Sequence, residues 1–228
     1  MTDESTCAAR LLDAQAKAAL LFAEIETRNL VASGLGEREV SDRVRDLANE
    51  MFGTTHYWHK RIVRSGPNTL LPYRENPPDR IIGADDIAFA DFGPIFEEFE
   101  ADFGRTYVLG DDPVKRRLRD DLPLVFAAGR HAFEADPEIT GRKLYAEVER
   151  LAADAGWQLG GWHVGHLVGA FPPEHDDFAD VDSHIVPANG KPLRRTDDAG
   201  RLLHWILEIH LVDRERGFGG FYEEFLDL

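Results

Sequence analysis

The sequence predicts an α+β domain, an antiparallel sheet covered by helices. Two observations carry this. Apolar residues recur at helical spacing near the N-terminus and again after Val114. Between these stretches, His56 to Gly110 breaks into short β-like runs punctuated by glycine and proline, as in "RSGPNTLLPYRENPPDR". Helices alternating with antiparallel hairpins define the α+β class. With no internal repeat, low-complexity tract or obvious linker, residues 1–228 are expected to form a single domain.

Leu11, Ala14, Ala18, Leu21 and Ile25 mark a first amphipathic helix. "SGLGE" (Ser33 to Glu37) is a turn, and Val40, Val44, Leu47 and Met51 mark a second helix stopped near Gly53. After the β-like region, Val114 to about Phe133 reads as helix, with a break or kink at Pro123. Thr140 suits the N-cap of a further helix through Leu144, Val148 and Leu151, ended by Gly156. Short strands and loops fill the rest.

Composition bounds the partners. The chain carries 42 acidic against 26 basic residues, a net charge of -16 that repels phosphate backbones and anionic membranes. Nucleic-acid and membrane partners are therefore discounted. The lone Cys7 allows neither a disulfide framework nor a thiolate metal site. The acidic start "MTDESTCAAR" lacks a signal-peptide pattern, and no apolar run approaches the ~20 residues that cross a bilayer, so the expected location is the cytoplasm.

The stretch "IAFADFGPIFEEFEADFGRTYVLG" (Ile87 to Gly110) carries the chemistry. It reads as a hairpin of Ile87–Asp91 with Glu100–Val108, yet Asp91 and Asp102 stand where core residues belong. With Phe96 and Glu97 at the centre of the turn, the two aspartates face each other on adjacent strands. Facing like charges on a half-buried sheet are unfavourable, and a buried unpaired carboxylate costs several kcal/mol. Either a basic residue, with Arg105 nearest, or a metal cation must offset them.

Three further segments hold ionisable residues in apolar or glycine-rich settings. "GWHVGHLVGAFPPEHDD" flanks His166 with Gly165 and Gly169. "HWILEIHLVD" alternates, so Glu208 and His210 share one face while Trp205, Leu207, Ile209 and Leu211 take the other. "GGFYEEFLDL" ends the chain with Glu223 and Glu224.

Taken in order, these residues resemble the dinuclear metal site of the creatinase / aminopeptidase P / methionine aminopeptidase superfamily, whose fold is called pita-bread. "GLGEREVSDRVRDLANEMFG" resembles the family's helix before the sheet, and "RIVRSGPNT" its IV-x-SG-x-N strand. "DFGPIFEEFEADFGRTYVLG" is similar to the D-x-G…D-x-x-RT-x-x-x-G signature, and "GHLVG" to a GHGIG-type segment. The resemblance runs from about residue 10 to the C-terminus and implies the catalytic domain alone. It implies two divalent ions, Mn first, with Fe, Co or Zn as alternatives. Asp91 would hold one ion through both oxygens, and Asp102 would bridge. His166 and Glu208 would bind one ion, and Glu223, preferred to Glu224, would bridge both.

The implied activity is metal-dependent hydrolysis by a hydroxide shared between ions about 3.5–4 Å apart. A peptidase of the Xaa-Pro aminopeptidase or dipeptidase type, acting on a small peptide and possible as a homodimer, is the expectation. The alternatives are a same-fold hydrolase of a small non-peptide C–N substrate and a non-catalytic binding domain. Two departures bear on this. Where many relatives have histidines that handle substrate, this chain has Pro72 and Pro173. His210, and less so His175, are the expected catalytic substitutes, with Glu223 as proton shuttle.

Overall fold

The computed structural model describes residues 4–170 and 180–228. The α-helices and strands of the described residues, in chain order, are α1 (Glu4–Thr27), α2 (Glu37–Phe52), β1 (Ile62–Ser65), β2 (Ile87–Phe92), β3 (Ile95–Phe96), β4 (Phe99–Glu100), β5 (Phe103–Val108), α3 (Pro113–Ala135), α4 (Gly141–Asp154), β6 (Gln158–Leu159), β7 (Leu167–Val168), β8 (His204–Asp213) and β9 (Phe218–Phe225). The main sheet runs β1-β2-β5-β9-β8-β6, with β7 added to β8, and all its pairings are antiparallel.

Local chemistry accounts for the helix ends. Gly53 closes α2 in the left-handed region at φ 70°. Asp112 caps α3 by accepting from the amides of Val114 and Lys115, and Thr140 caps α4 by accepting from Lys143. Helix α3 runs on through Pro123, with Leu118, Leu122, Val125 and Phe126 buried on either side of it. Packing there outweighs the lost backbone hydrogen bond.

Strand alternation divides the sheet into two faces. On one face α1 and α2 pack over Ala88, Ala90, Phe92 and Phe103, and α3 and α4 pack over Leu207, Ile209 and Leu211. Tyr222 joins that side against Phe126. The opposite face carries Asp91 on β2, Glu208 and His210 on β8, and Phe221 and Glu223 on β9 around a cavity.

The hairpin register departs from the sequence expectation. Asp91 pairs with Gly104, not Asp102, and Phe92 pairs with Phe103. Glu97 and Glu98 form the turn, with Glu97 at φ 59°, so the pairing is two residues further along than expected. Ala101 and Asp102 lie between β4 and β5 rather than within one continuous strand. Gly93-Pro94 and Ala101-Asp102 both interrupt the ladder, which frees Asp102 from a facing position. Arg105 does not offset the aspartates either. It pairs with Glu224 and stacks on Phe103 and Tyr222.

Candidate metal centre

One row of residues crosses four strands. Asp91 pairs with Gly104, Gly104 with Glu223, and Glu223 with Glu208. Gly104 contributes no side chain, and the Phe221 ring takes the space a Cβ would fill, 2.5 Å away. Asp102 stands two residues before Gly104, on the same side of the chain. The four carboxylates thus share the floor of a cavity of about 320 Å³.

His166 arrives on a segment stitched to β8. Its carbonyl accepts from the Ile206 amide at 2.8 Å, and the Glu208 amide donates to the Val164 carbonyl at 3.0 Å. Gly165 sits between these bonds at φ 153°, where a Cβ would lie 2.1 Å from the Ile206 oxygen. Only glycine fits so close to β8. His166 Nδ1 donates to the Leu167 carbonyl at 2.8 Å, which leaves Nε2 toward Asp102 Oδ2 at 3.3 Å and Glu223 Oε1 at 3.8 Å.

His59, unremarked in the sequence reading, is the other imidazole at the cluster. Its Nε2 lies 3.1 Å from Asp102 Oδ1 and 3.5 Å from Asp91 Oδ1. Among the described residues, two sets of ligand atoms lie within 4.8 Å of one another: His59, Asp91 and Asp102, and Asp102, His166 and Glu223. His163 and His184 also line the cavity, and His163 Nδ1 lies 3.2 Å from Glu208 Oε1. The available signal for His59 was "HYWHK" (His56 to Lys60), but a histidine between aromatic and basic residues carries no periodicity that separates ligand from surface.

The charge balance is unusual. Burial raises the carboxyl pKa of Asp91, Glu208 and Glu223, and mutual repulsion adds to it. Burial would raise Asp102 too, but His59 and His166 outweigh it and hold Asp102 below the usual range. Burial lowers both imidazoles, yet the Asp102 carboxylate lifts each to about 9. Asp91 Oδ1 and Glu223 Oε2 are buried without a hydrogen-bond partner. Orphaned buried carboxylate oxygens beside oriented imidazoles are the donor set that a divalent transition ion takes. The residues fit such an ion.

Glu224 lies on the helix side, taken by Arg105 and the Tyr222 hydroxyl. His210 lines the cavity, but its Nε2–H donates to the Thr69 carbonyl at 2.8 Å, and burial lowers its pKa to about 4. It is therefore neutral and tied to backbone, and orients no carboxylate through that nitrogen. Pro72 also lines the cavity. His175 and Pro173 lie outside the described residues.

The sequence pattern of metallopeptidase family M24 matches residues 9–204. The chain belongs to metallopeptidase family M24. Its pita-bread fold is seen in M24-type structures such as X-Pro aminopeptidase from Thermotoga maritima MSB8, with a TM-score of 0.76 at 18% identity. That match covers 100% of this chain and 62% of the other. The dipeptidase from Pyrococcus horikoshii OT3 aligns with a TM-score of 0.74 at 22% identity, over 94% of this chain and 55% of the other. In sequence, the M24 chain is 28% identical over 158 residues to the Xaa-Pro dipeptidase of Pyrococcus horikoshii, covering 68% of this chain and 44% of that protein. The chain thus spans less than half the length of that curated relative. No described helix is long and apolar enough to cross a membrane.

Proposed function

We propose that this M24 chain is a dinuclear metal-dependent hydrolase that cleaves a small peptide at an Xaa-Pro bond. The observation that carries the reading is the convergence of Asp91, Asp102, Glu208, Glu223 and His166 on one cavity floor, in a chain similar to Xaa-Pro dipeptidases. Asp91, Asp102 and Glu223 would hold one ion, and Asp102, His166, Glu208 and Glu223 the other, with Mn(II) first and Fe(II), Co(II) or Zn(II) as substitutes. Such ions supply a nucleophile from water at neutral pH and polarise a carbonyl.

The chain's own residues do the rest. Trp58, Tyr73, Trp162 and Phe221 give the cavity aromatic walls that seat an apolar ring and exclude water. Arg74 stands over the Trp162 ring at 5.3 Å, at the exposed rim, where it attracts a substrate carboxylate. Glu208 and Glu223, raised by burial, can take and return a proton at the scissile nitrogen. His184 donates from Nδ1 to the Asp180 carbonyl at 3.0 Å and is kept neutral by burial, so its Nε2 lone pair can accept a hydrogen bond from a substrate N–H in the cavity.

A small non-peptide C–N substrate is the second reading, favoured by Pro72 in the cavity wall where the resemblance leads one to expect a histidine. Elemental analysis of the purified protein, coupled to a panel of Xaa-Pro and Met-Xaa peptides, tests both. Two divalent ions per chain and cleavage confined to Xaa-Pro members are expected. A fully metallated protein that cleaves no peptide replaces the peptidase reading with the non-peptide one.

A further inference from the structure

We propose that His59 is a sixth metal ligand, so that each of the two ions carries one imidazole and Asp102 bridges between them. This rests on the dinuclear-metal reading above and departs from the ligand set that the family resemblance implies, in which only His166 supplies nitrogen.

The geometry of the two histidines is nearly the same. His59 Nδ1 donates to the carbonyl of the next residue, Lys60, at 2.7 Å. His166 Nδ1 does the same to Leu167 at 2.8 Å. A ring whose Nδ1–H is held by a carbonyl presents the Nε2 lone pair outward, the usual arrangement of a metal-binding histidine. The two Nε2 atoms then address opposite oxygens of one carboxylate, His59 toward Asp102 Oδ1 at 3.1 Å and His166 toward Oδ2 at 3.3 Å. Asp91 Oδ1, the orphaned oxygen, lies 3.5 Å from the same His59 nitrogen. His59, Asp91 and Asp102 thus enclose one position, as Asp102, His166 and Glu223 enclose the other.

His59 is also held there firmly, as a ligand must be. The preceding segment runs along the end of the hairpin. The Ile95 amide donates to the His56 carbonyl at 2.9 Å, and the Trp58 amide donates to the Gly93 carbonyl at 3.0 Å. Trp58 Nε1 donates to the Ala101 carbonyl at 3.1 Å, so this indole ties the segment to both interruptions of the ladder. Its ring stands edge-on to both imidazoles, with centroids 4.6 Å from His59 and 5.4 Å from His166. Gly93 completes the cradle. A Cβ there would lie 2.2 Å from His59 Cδ2 and 2.3 Å from Trp58 Nε1, so any side chain would displace the ring from the aspartates.

A simple ion pair between His59 and Asp102 is the competing role, and NMR separates the two. The protein is labelled with 15N-histidine, loaded with 113Cd(II), and its histidine side chains are assigned through bonds to the backbone, so that no variant needs to fold. Splitting of Nε2 by 113Cd is expected for two histidines, His59 and His166. His59→Gln keeps a hydrogen-bond donor to Asp102 but no imidazole. Calorimetric titration of this variant is expected to show one tight ion and a second weakened about 100-fold or more, beyond the 10–100-fold that follows loss of a residue that only orients a ligand. If the wild-type protein binds two ions and His59 shows no splitting, the inference fails and the dinuclear reading stands. A wild-type protein that binds no divalent ion overturns both.

Discussion

The two faces of β8 and β9 share one backbone and opposite chemistry. Toward the helices, Leu207, Ile209 and Leu211 are fully buried against α3 and α4. Toward the cavity, the carboxyl groups of Glu208 and Glu223 sit opposite each other. The first face stabilises the sheet by apolar burial, at roughly 25 cal/mol per Å² removed from water. The second destabilises it, because its carboxyl groups are crowded and desolvated, and one oxygen each of Asp91 and Glu223 is left without a hydrogen-bond partner. The helix face thus supports a row of residues that would not persist on a free-standing sheet. Strain of this kind is concentrated where a ligand can relieve it.

Asp102→Ala should empty the cavity face and leave the helix face intact. Asp102 belongs to both ligand sets, so metal content should fall to background and hydrolysis with it. The circular dichroism spectrum should stay that of the wild type, because the helix face is untouched. Full metal content in this variant would remove Asp102 from the site.

Leu207→Ala attacks the other face. Leu207 packs against Gly129 of α3, and truncation in such a core costs about 2–5 kcal/mol. Denaturant unfolding should show that loss, while the folded variant keeps the metal content of the wild type. Loss of metal without loss of stability would mean that the two faces are not separable.

The adjacent glutamates sharpen the contrast by one residue. Glu223→Gln should weaken metal binding strongly, and Glu224→Gln far less, since Glu224 serves Arg105 and the Tyr222 hydroxyl on the helix side. Glu223→Gln should also raise the melting temperature of the metal-free protein, because it removes one of four crowded carboxylates. The reverse order of metal affinities would misplace the last ligand.

The smallest expected effect is in proton bookkeeping. Asp91, Glu208 and Glu223 have raised pKa values, and His59 and His166 lie at about 9, so several of these groups hold protons near neutrality. A cation binds the deprotonated forms, so its uptake must release protons and its affinity must rise with pH. Calorimetry at pH 7 in two buffers of different ionisation enthalpy should detect that release. Metal affinity that does not fall on acidification would contradict this charge balance.

Much of this was legible in the residues. The period of Leu11 to Ile25 and of Val40 to Met51 defined α1 and α2, and the alternation of His204–Asp213 separated Glu208 from Leu207 correctly. These are local patterns, written in spacings of two and of three or four residues. The hairpin register was not legible, because the turn centres on Glu97-Glu98, with Glu97 left-handed, and this shifts the pairing by two residues without changing the apolar pattern. A shift of two keeps every side chain on its face, which is why Asp91 and Asp102 still share one cavity although they do not face each other.

Residue type and period alone determined the four helices α1 to α4 and the side of β8 on which Glu208 stands. Tertiary structure alone decided which imidazoles meet the cavity carboxylates. His210 has the right parity on β8, yet the loop after β1 brings the Thr69 carbonyl to its Nε2. His59 has no strand parity at all, yet hydrogen bonds from Ile95 and Trp58 lay its segment against the end of the hairpin. Contacts between segments remote in sequence leave no periodic trace, so no local pattern could distinguish the histidine that reaches the cluster from the one that is tied away from it.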